Sequence, residues 1–241
     1  MTMKALKTIA AVGLVAGMAA TVSAVPDATG TVVRTAGYYD PASGYGGGEF
    51  TMKGSPWANP AHYDPATLVS GGFQTFCMER NQGLSGQPFH AYLNTEAVNG
   101  GLGGGSPDPL SIGTAWLYKQ FAEGNLAGYD YTPGAGREAS ARALQEAIWM
   151  LEDELPVAAN PYIALVVSKY GTLAAAKADY DPATAGFTVR VVNLYGIDRV
   201  TGGTDWSAKK QDMLVYLPDG GMTLVLMGSG LLGLALIRRK E

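Results

Sequence analysis

A single cysteine, Cys77, and two histidines, His62 and His90, are all the soft or imidazole chemistry in 241 residues. One thiol excludes an intrachain disulfide and a multi-cysteine zinc site. Charged residues are scarce at 16%, and the net charge is −4. A nucleic-acid binder would show a basic face, so nucleic acid is excluded as a partner. No Asp-x-Asp-x-Asp-Gly calcium loop is present. The glycine run Asn99–Ser106 lacks the Lys-Ser/Thr that a phosphate loop needs, and no Ser-His-Asp order is found. We therefore expect neither a turnover enzyme nor a cofactor or metal. What is abundant is glycine: 33 residues, roughly twice the usual share. With 47% apolar residues the chain can build a core, and its composition suggests a β-rich, loop-rich body.

Both ends read as addresses. Lys4 and Lys7 precede an apolar, small-residue run from Thr8 to Ala20, then Val22-Ser23-Ala24. That order predicts a secretory signal peptide over 1–24, cut after Ala24. At the other end, Leu217-Pro218-Asp219-Gly220-Gly221 precedes an apolar stretch, Met222 to Ile237, and then Arg238-Arg239-Lys240. As a helix that stretch rises about 24 Å, near the roughly 30 Å of a bilayer core. The basic cluster behind it predicts a body outside the cytoplasmic membrane. The order of Pro218, Asp219, Gly220 and Gly221, apolar helix, Arg238 and Arg239 resembles the PEP-CTERM class of sorting signals, with Leu217 in place of a valine. That resemblance covers only 217–241. It implies a Gram-negative source, exosortase as processing partner, transient anchoring in the inner membrane, and delivery to the cell surface or beyond. Without the two lysines and the +2 of Met222–Glu241, the body carries −8, which suits a soluble exported domain.

Within the body, Thr31–Arg34, Glu49–Met52 and Gly72–Met78 read as strands. In the last, Phe73, Thr75 and Cys77 share one face, and Gln74, Phe76 and Met78 the other. Helices are predicted over Ser111–Glu123, Arg137–Leu155, Tyr162–Tyr170 and Thr172–Asp179. Leu144, Ala147, Ile148, Leu151 and Leu155 make an amphipathic stripe. Phe187–Leu194 and Asp212–Tyr216 return to strand. Helices grouped between strands indicate an α+β fold. Glu152, Asp153 and Glu154 read as a solvated, frayed helix end, because acids are unfavourable there.

The odd cysteine of an exported chain admits four readings. It can be a buried small hydrophobe, or half of an intermolecular disulfide. As a hydrolase nucleophile it would need His62 or His90 as base, and it would sit at a helix N-terminus rather than in a strand. The fourth reading is an internal thioester. There a cysteine sulfur attacks the side-chain amide of a glutamine, ammonia leaves, and the acyl group waits on a good leaving group for a nucleophile. A lone cysteine suits this, since a second thiol could intercept the acyl group. Gln145, beside the apolar stripe in Leu144-Gln145-Glu146-Ala147-Ile148-Trp149, is the candidate partner; as a helix-surface glutamine it would need no such explanation.

The pair Thr75-Phe76-Cys77-Met78-Glu79 and Leu144-Gln145-Glu146-Ala147-Ile148-Trp149 resembles the Cys-Gln thioester-forming (TQXA-like) domains of bacterial surface proteins, and Trp116-Leu117-Tyr118 adds to the likeness. The resemblance spans Phe73 to Tyr216. It implies a Cys77–Gln145 bond and a β-sandwich or barrel with an inserted helical lobe, set between a signal helix and a C-terminal transmembrane helix. Glu79, and the PEP-CTERM-like tail in place of a wall anchor, depart from that pattern. The expected protein is a single surface domain over 25–216. It would capture covalently a nucleophile on extracellular polysaccharide or on a surface protein, in adhesion or matrix attachment. The alternative is a non-covalent biofilm or envelope matrix protein in which Cys77 is merely buried.

Overall fold

The computed structural model describes residues 30–35, 47–53, 72–86, 88–98 and 101–217. The predicted signal peptide and the sorting signal, with Pro218, Asp219, Gly220, Gly221, Arg238 and Arg239, lie outside the described residues. The fold is mixed α/β with antiparallel sheets. Among the described residues no helix is long and apolar enough to cross a membrane.

In chain order the strands are β1 (Gly30–Thr35), β2 (Phe50–Lys53), β3 (Gly72–Thr75), β4 (Phe89–Asn94), β5 (Glu96–Ala97) and β6 (Asp108–Pro109). Then come helices α1 (Ile112–Ala122), α2 (Ala135–Leu151), α3 (Pro161–Tyr170), α4 (Leu173–Ala176) and α5 (Pro182–Ala185). Strands β7 (Thr188–Ile197), β8 (Thr204–Lys209) and β9 (Met213–Leu217) follow. Strand β2 pairs with both β1 and β3, β1 also pairs with β4, and β4 pairs with β7. One half of β7 pairs with β9 and the other with β8. An antiparallel bridge between Cys77 and Met213 then joins the exit of β3 to β9. Pairing thus runs around the strands and back to its start.

Alternation along the strands sends side chains to two apolar clusters. Phe50, Phe73, Phe89, Val192 and Met213 share one, together with Cys77 and with Trp149 from α2. Phe76, Met78, Val191 and Leu214 face the other way and pack on the helices. The face assignment expected for Gly72–Met78 matches this division. From α2, Leu144, Ala147, Ile148 and Leu151 are buried in the helix-side cluster, each large side chain contributing about 2 kcal/mol.

Local chemistry sets the helix ends. Ser111 caps α1, its hydroxyl accepting from Thr114 N. Asn160 caps α3 ahead of Pro161, and Asp181 caps α5 ahead of Pro182, as expected where Pro follows an N-cap. Two predicted boundaries need correction. Helix α2 starts at Ala135 and ends at Leu151, not at Leu155. Asp153 takes a φ of 61°, and the N–H groups of Glu154 and Leu155 both donate to Trp149 O, which turns the chain out of the helix. The segment expected to be helical over Thr172–Asp179 is helical only over Leu173–Ala176. Strands β4 and β8 were not among the sequence-based expectations.

Candidate functional site

The site forms where β2 and β3 part company. Their register pairs Phe50 with Thr75. Beyond that pair β3 continues through Phe76 to Cys77, which turns to β9. On the β9 side, Met78 N donates to Asp212 O (2.9 Å). The Thr75 hydroxyl also donates to Leu214 O (2.6 Å), and its oxygen lies 2.9 Å from Leu214 N. The N–H and C=O of Cys77 itself point away from β9, toward the side on which the β2–β3 register ends at Phe50 and Thr75. Left bare, two buried backbone groups would each cost about 1–3 kcal/mol.

Gln145 fills the gap. Its Oε1 accepts from Cys77 N at 2.9 Å, and its Nε2 donates to Cys77 O at 2.8 Å. Gly48 N also donates to the same Oε1, at 3.3 Å. The two residues are 68 positions apart in the chain. A primary amide carries the donor and the acceptor that this pairing needs. The sequence placed Gln145 beside the core; it lies deeper, 1% exposed, and Cys77 is 5% exposed.

Strand geometry relates the amide to the sulfur. Backbone N–H and C=O groups lie in the plane of a sheet, while Cβ stands out of it. An amide paired with both groups of Cys77 lies beside that plane, next to the residue whose Cβ carries Sγ. A nucleophile adds to a carbonyl carbon from the face, and the carbonyl oxygen then becomes an oxyanion. Here that oxygen already has two backbone donors, Cys77 N and Gly48 N, the arrangement that stabilises such an oxyanion.

The elements around the amide are tightly held. Gly47 sits against α2. A Cβ there would lie 2.2 Å from Trp149 Cη2 and 2.8 Å from Gln145 Cγ, so only glycine fits. The next residue but one, Glu49, is fully buried and receives Arg137 of α2 in a fork: Nη2 to Oε1 at 2.7 Å and Nε to Oε2 at 3.0 Å. Tyr129 Oη donates to Oε2 at 2.7 Å. Burial first, and then the Glu49 carboxylate, push the Tyr129 phenol well above its usual pKa, so it remains a donor. These bonds fix the Gly47–Glu49 strand to the helix that carries Gln145.

The acids at the end of α2 overturn the expectation of a solvated, frayed terminus. Asp153 is exposed, but Glu152 and Glu154 are 4% and 3% exposed. Glu154 Oε2 accepts from Arg80 N at 2.8 Å, and Oε1 from Leu102 N and Gly103 N at 2.6 and 3.0 Å. This part of the glycine-rich Asn99–Ser106 run is therefore wrapped around a carboxylate. Glu152 Oε1 accepts from the Ser111 hydroxyl at 2.6 Å. Burial lifts the pKa of Glu152 to about 7. Burial, with Glu154, Asp153 and Asp179 adding, lifts that of Asp108 to about 6.

The structure thus brings the Gln145 side chain onto the backbone of Cys77. It keeps His90 elsewhere, with Nδ1 against Thr204 Oγ1 at 2.7 Å; His62 lies outside the described residues. Sequence reasoning missed Gly47 and Gly48, and it assigned no role to Trp149. Among the described residues no group of His, Cys, Asp and Glu side chains is arranged to hold a metal. Comparison with protein-family models, with curated proteins and with solved structures finds no match for the chain.

Proposed function

We propose that this is an exported cell-surface protein, not a turnover enzyme, whose body forms an internal Cys77–Gln145 thioester and uses it to capture a nucleophile covalently. One observation carries the reading: the Gln145 amide is lodged on the N–H and C=O of Cys77, with its oxygen held by a second backbone donor. In the bond-forming step Sγ adds to Gln145 Cδ, the oxyanion rests on the Cys77 and Gly48 N–H groups, and the C–N bond breaks. Nε2 departs as ammonia with the thiol proton. A hydroxyl or amine of an extracellular polysaccharide or surface protein then takes the acyl group and returns the thiol. In this reading the ring of strands is a barrel and α1–α5 an inserted lobe that carries the electrophile. The ends supply export, exosortase processing and transient membrane anchorage, with final placement at the surface of a Gram-negative cell.

Intact mass of the secreted protein tests this. The wild type should be lighter than its sequence by one ammonia, Cys77→Ala should show the full mass, and methylamine should add to the wild type alone. Full mass for both proteins would falsify the thioester.

A second reading is favoured by the same hydrogen bonds. Gln145 satisfies the backbone of Cys77 completely, so a structural role as a plug between β2 and β3 accounts for its burial. The protein would then be a non-covalent matrix component in which Cys77 is only buried. The mass measurement separates the two.

A further inference from the structure

Helix α1 turns Ala115, Leu117, Tyr118 and Phe121 into the core. Its other face carries Ile112, Trp116, Lys119 and Gln120, all half-buried. A helix face turned to water usually carries charged and polar groups, yet this one begins with an isoleucine and a tryptophan. The same four residues line one wall of a cleft of about 420 Å³. Facing them are Lys169 and Tyr170 at the end of α3, and Phe187 just before β7. The walls are held in place. Tyr170 Oη donates to Ile112 O at 3.4 Å, and the Tyr170 and Trp116 rings meet edge to face, with centroids 6.4 Å apart and planes at 87°. Phe187 lies against Tyr180, with ring centroids 5.4 Å apart, and its carbonyl accepts from the Tyr180 hydroxyl. Two rings thus stand at a right angle, and a third lines the same cleft. Polar groups share the space. Lys119 pairs with Glu123 at 2.6 Å. The Gln120 amide and Lys169 Nζ have no hydrogen-bond or ion-pair partner among the described residues. None of the lining residues is an acid, although the chain is acidic overall.

We propose that this cleft is a reversible binding site for an anionic saccharide, a chain containing hexuronate rings, held by Trp116, Tyr170, Gln120 and Lys169. A pyranose has a face of C–H groups and a rim of hydroxyls. The C–H face suits the negative face of an aromatic ring. The hydroxyl rim suits the Gln120 amide, which both donates and accepts. A ring carboxylate suits the Lys169 ammonium, in a charge-assisted hydrogen bond. The volume lies within the roughly 300–1,000 Å³ of small-ligand sites, whose walls are mostly apolar with a few polar groups. A peptide fits less well. An added strand needs a sheet edge, whereas most of the lining here is helix surface, and a docked helix, about 10 Å across, needs a longer groove. The proposal goes beyond the Cys77–Gln145 bond and does not need it, since no covalent bond is made or broken in the cleft.

The test is titration calorimetry at low salt on the secreted wild-type protein and on Cys77→Ala. The probes are trimers of galacturonate, glucuronate and mannuronate, and their methyl esters, which keep the rings and remove the charge. At least one acid trimer should bind both proteins alike and more tightly than its ester does. Trp116→Ala should weaken that trimer about tenfold through lost stacking. Lys169→Gln should weaken it about threefold, the size of an exposed ion pair, and leave the ester unchanged. Lys169 is exposed, so this variant covers a Trp116→Ala protein that fails to fold. No binding of any trimer, or both variants binding as the wild type does, overturns the site. A glutamate hexapeptide that binds as tightly as the trimer overturns the saccharide, because charge alone would then suffice. The two readings fail separately. A wild type of full mass that binds the trimer loses the thioester and keeps this site, and one lighter by ammonia that binds none does the reverse.

Discussion

Two stretches of α2 solve the same problem with different chemistry. Mid-helix, Gln145 serves the backbone of Cys77 and Gly48. Just past the C-terminus, Glu154 serves the backbone of Arg80, Leu102 and Gly103. In each case a buried side chain stands in for a missing strand neighbour. The amide both donates and accepts, so it can match a residue that presents N–H and C=O together. The carboxylate only accepts, so it gathers N–H groups alone. The two also clasp the same segment from either side, at Cys77 and at Arg80, and so fix the exit of β3 to one helix. Their reactivities differ accordingly. A carboxylate held by three N–H groups is a poor electrophile, whereas an amide whose oxygen is held by two is polarised toward attack.

Exchanging the two chemistries breaks the comparison most sharply. Gln145→Glu puts a carboxylate oxygen against Cys77 O, where a donor stood. At a pH where the acid is ionised, that buried charge facing a carbonyl oxygen should cost about 3–5 kcal/mol, read as a lower midpoint in urea unfolding, and ammonia loss should vanish. A smaller effect comes from the neighbouring acid. The pKa of Glu152 is raised from 4.5 to about 7, so the folded state holds its proton where the unfolded state has released it. Its stabilisation is complete below about 4.5 and is lost as pH rises to about 7. The full loss is about 3 kcal/mol for a fully buried group. Asp108 and Asp212, both raised to about 6 mainly by burial, act in the same direction. Thermal unfolding should therefore give a higher midpoint at pH 5 than at pH 7.5. Glu152→Gln should flatten that difference; an unchanged slope would remove Glu152 as its source.

Much of the mid-helix site was legible before the fold was known, and little of the C-terminal one. Gln145 stood out because Leu144 and Ile148 flank it on a periodic stripe, and because one cysteine had no partner of its own kind. Both signals are local. Glu154 was misread because the rule for acids at a helix C-terminus is also local, while its donors come from residues 80, 102 and 103. No periodicity in 137–155 encodes them. The same holds for Gly47, whose need for glycine arises from Trp149 and Gln145, about a hundred residues downstream. Strand β8 escaped notice for a different reason. Its residues are all exposed or half-buried, so the weak alternation of Thr204, Trp206 and Ala208 with Asp205, Ser207 and Lys209 carries no core signal.

The reverse exchange should cost less. Glu154→Gln keeps one accepting oxygen and loses the other, so either Arg80 N or the Leu102–Gly103 pair is orphaned. The expected loss is about 1–3 kcal/mol. Amide hydrogen exchange should speed up at Arg80 or at Leu102 and Gly103, while Cys77 keeps its protection. Equal loss of protection at Cys77 would mean that the two clasps act as one.

The smallest packing effect belongs to the residue with the largest chemical one. Cys77→Ala removes only the sulfur, and the N–H and C=O that Gln145 binds remain. The small cavity left in the cluster with Phe73, Trp149 and Met213 should cost about 1 kcal/mol. Gln145 should stay docked, so the Cys77→Ala protein should unfold in urea close to wild-type protein whose thioester has been opened. It should nevertheless carry the full unreacted mass and take up no methylamine. Holding the hydrogen bonds while deleting the sulfur parts the plug from the electrophile. Intact wild type should be the more stable by about 4 kcal/mol, because its thioester closes a loop between residues 68 positions apart that the variant leaves open; an intact wild type no more stable than the variant would mean that no such cross-link forms.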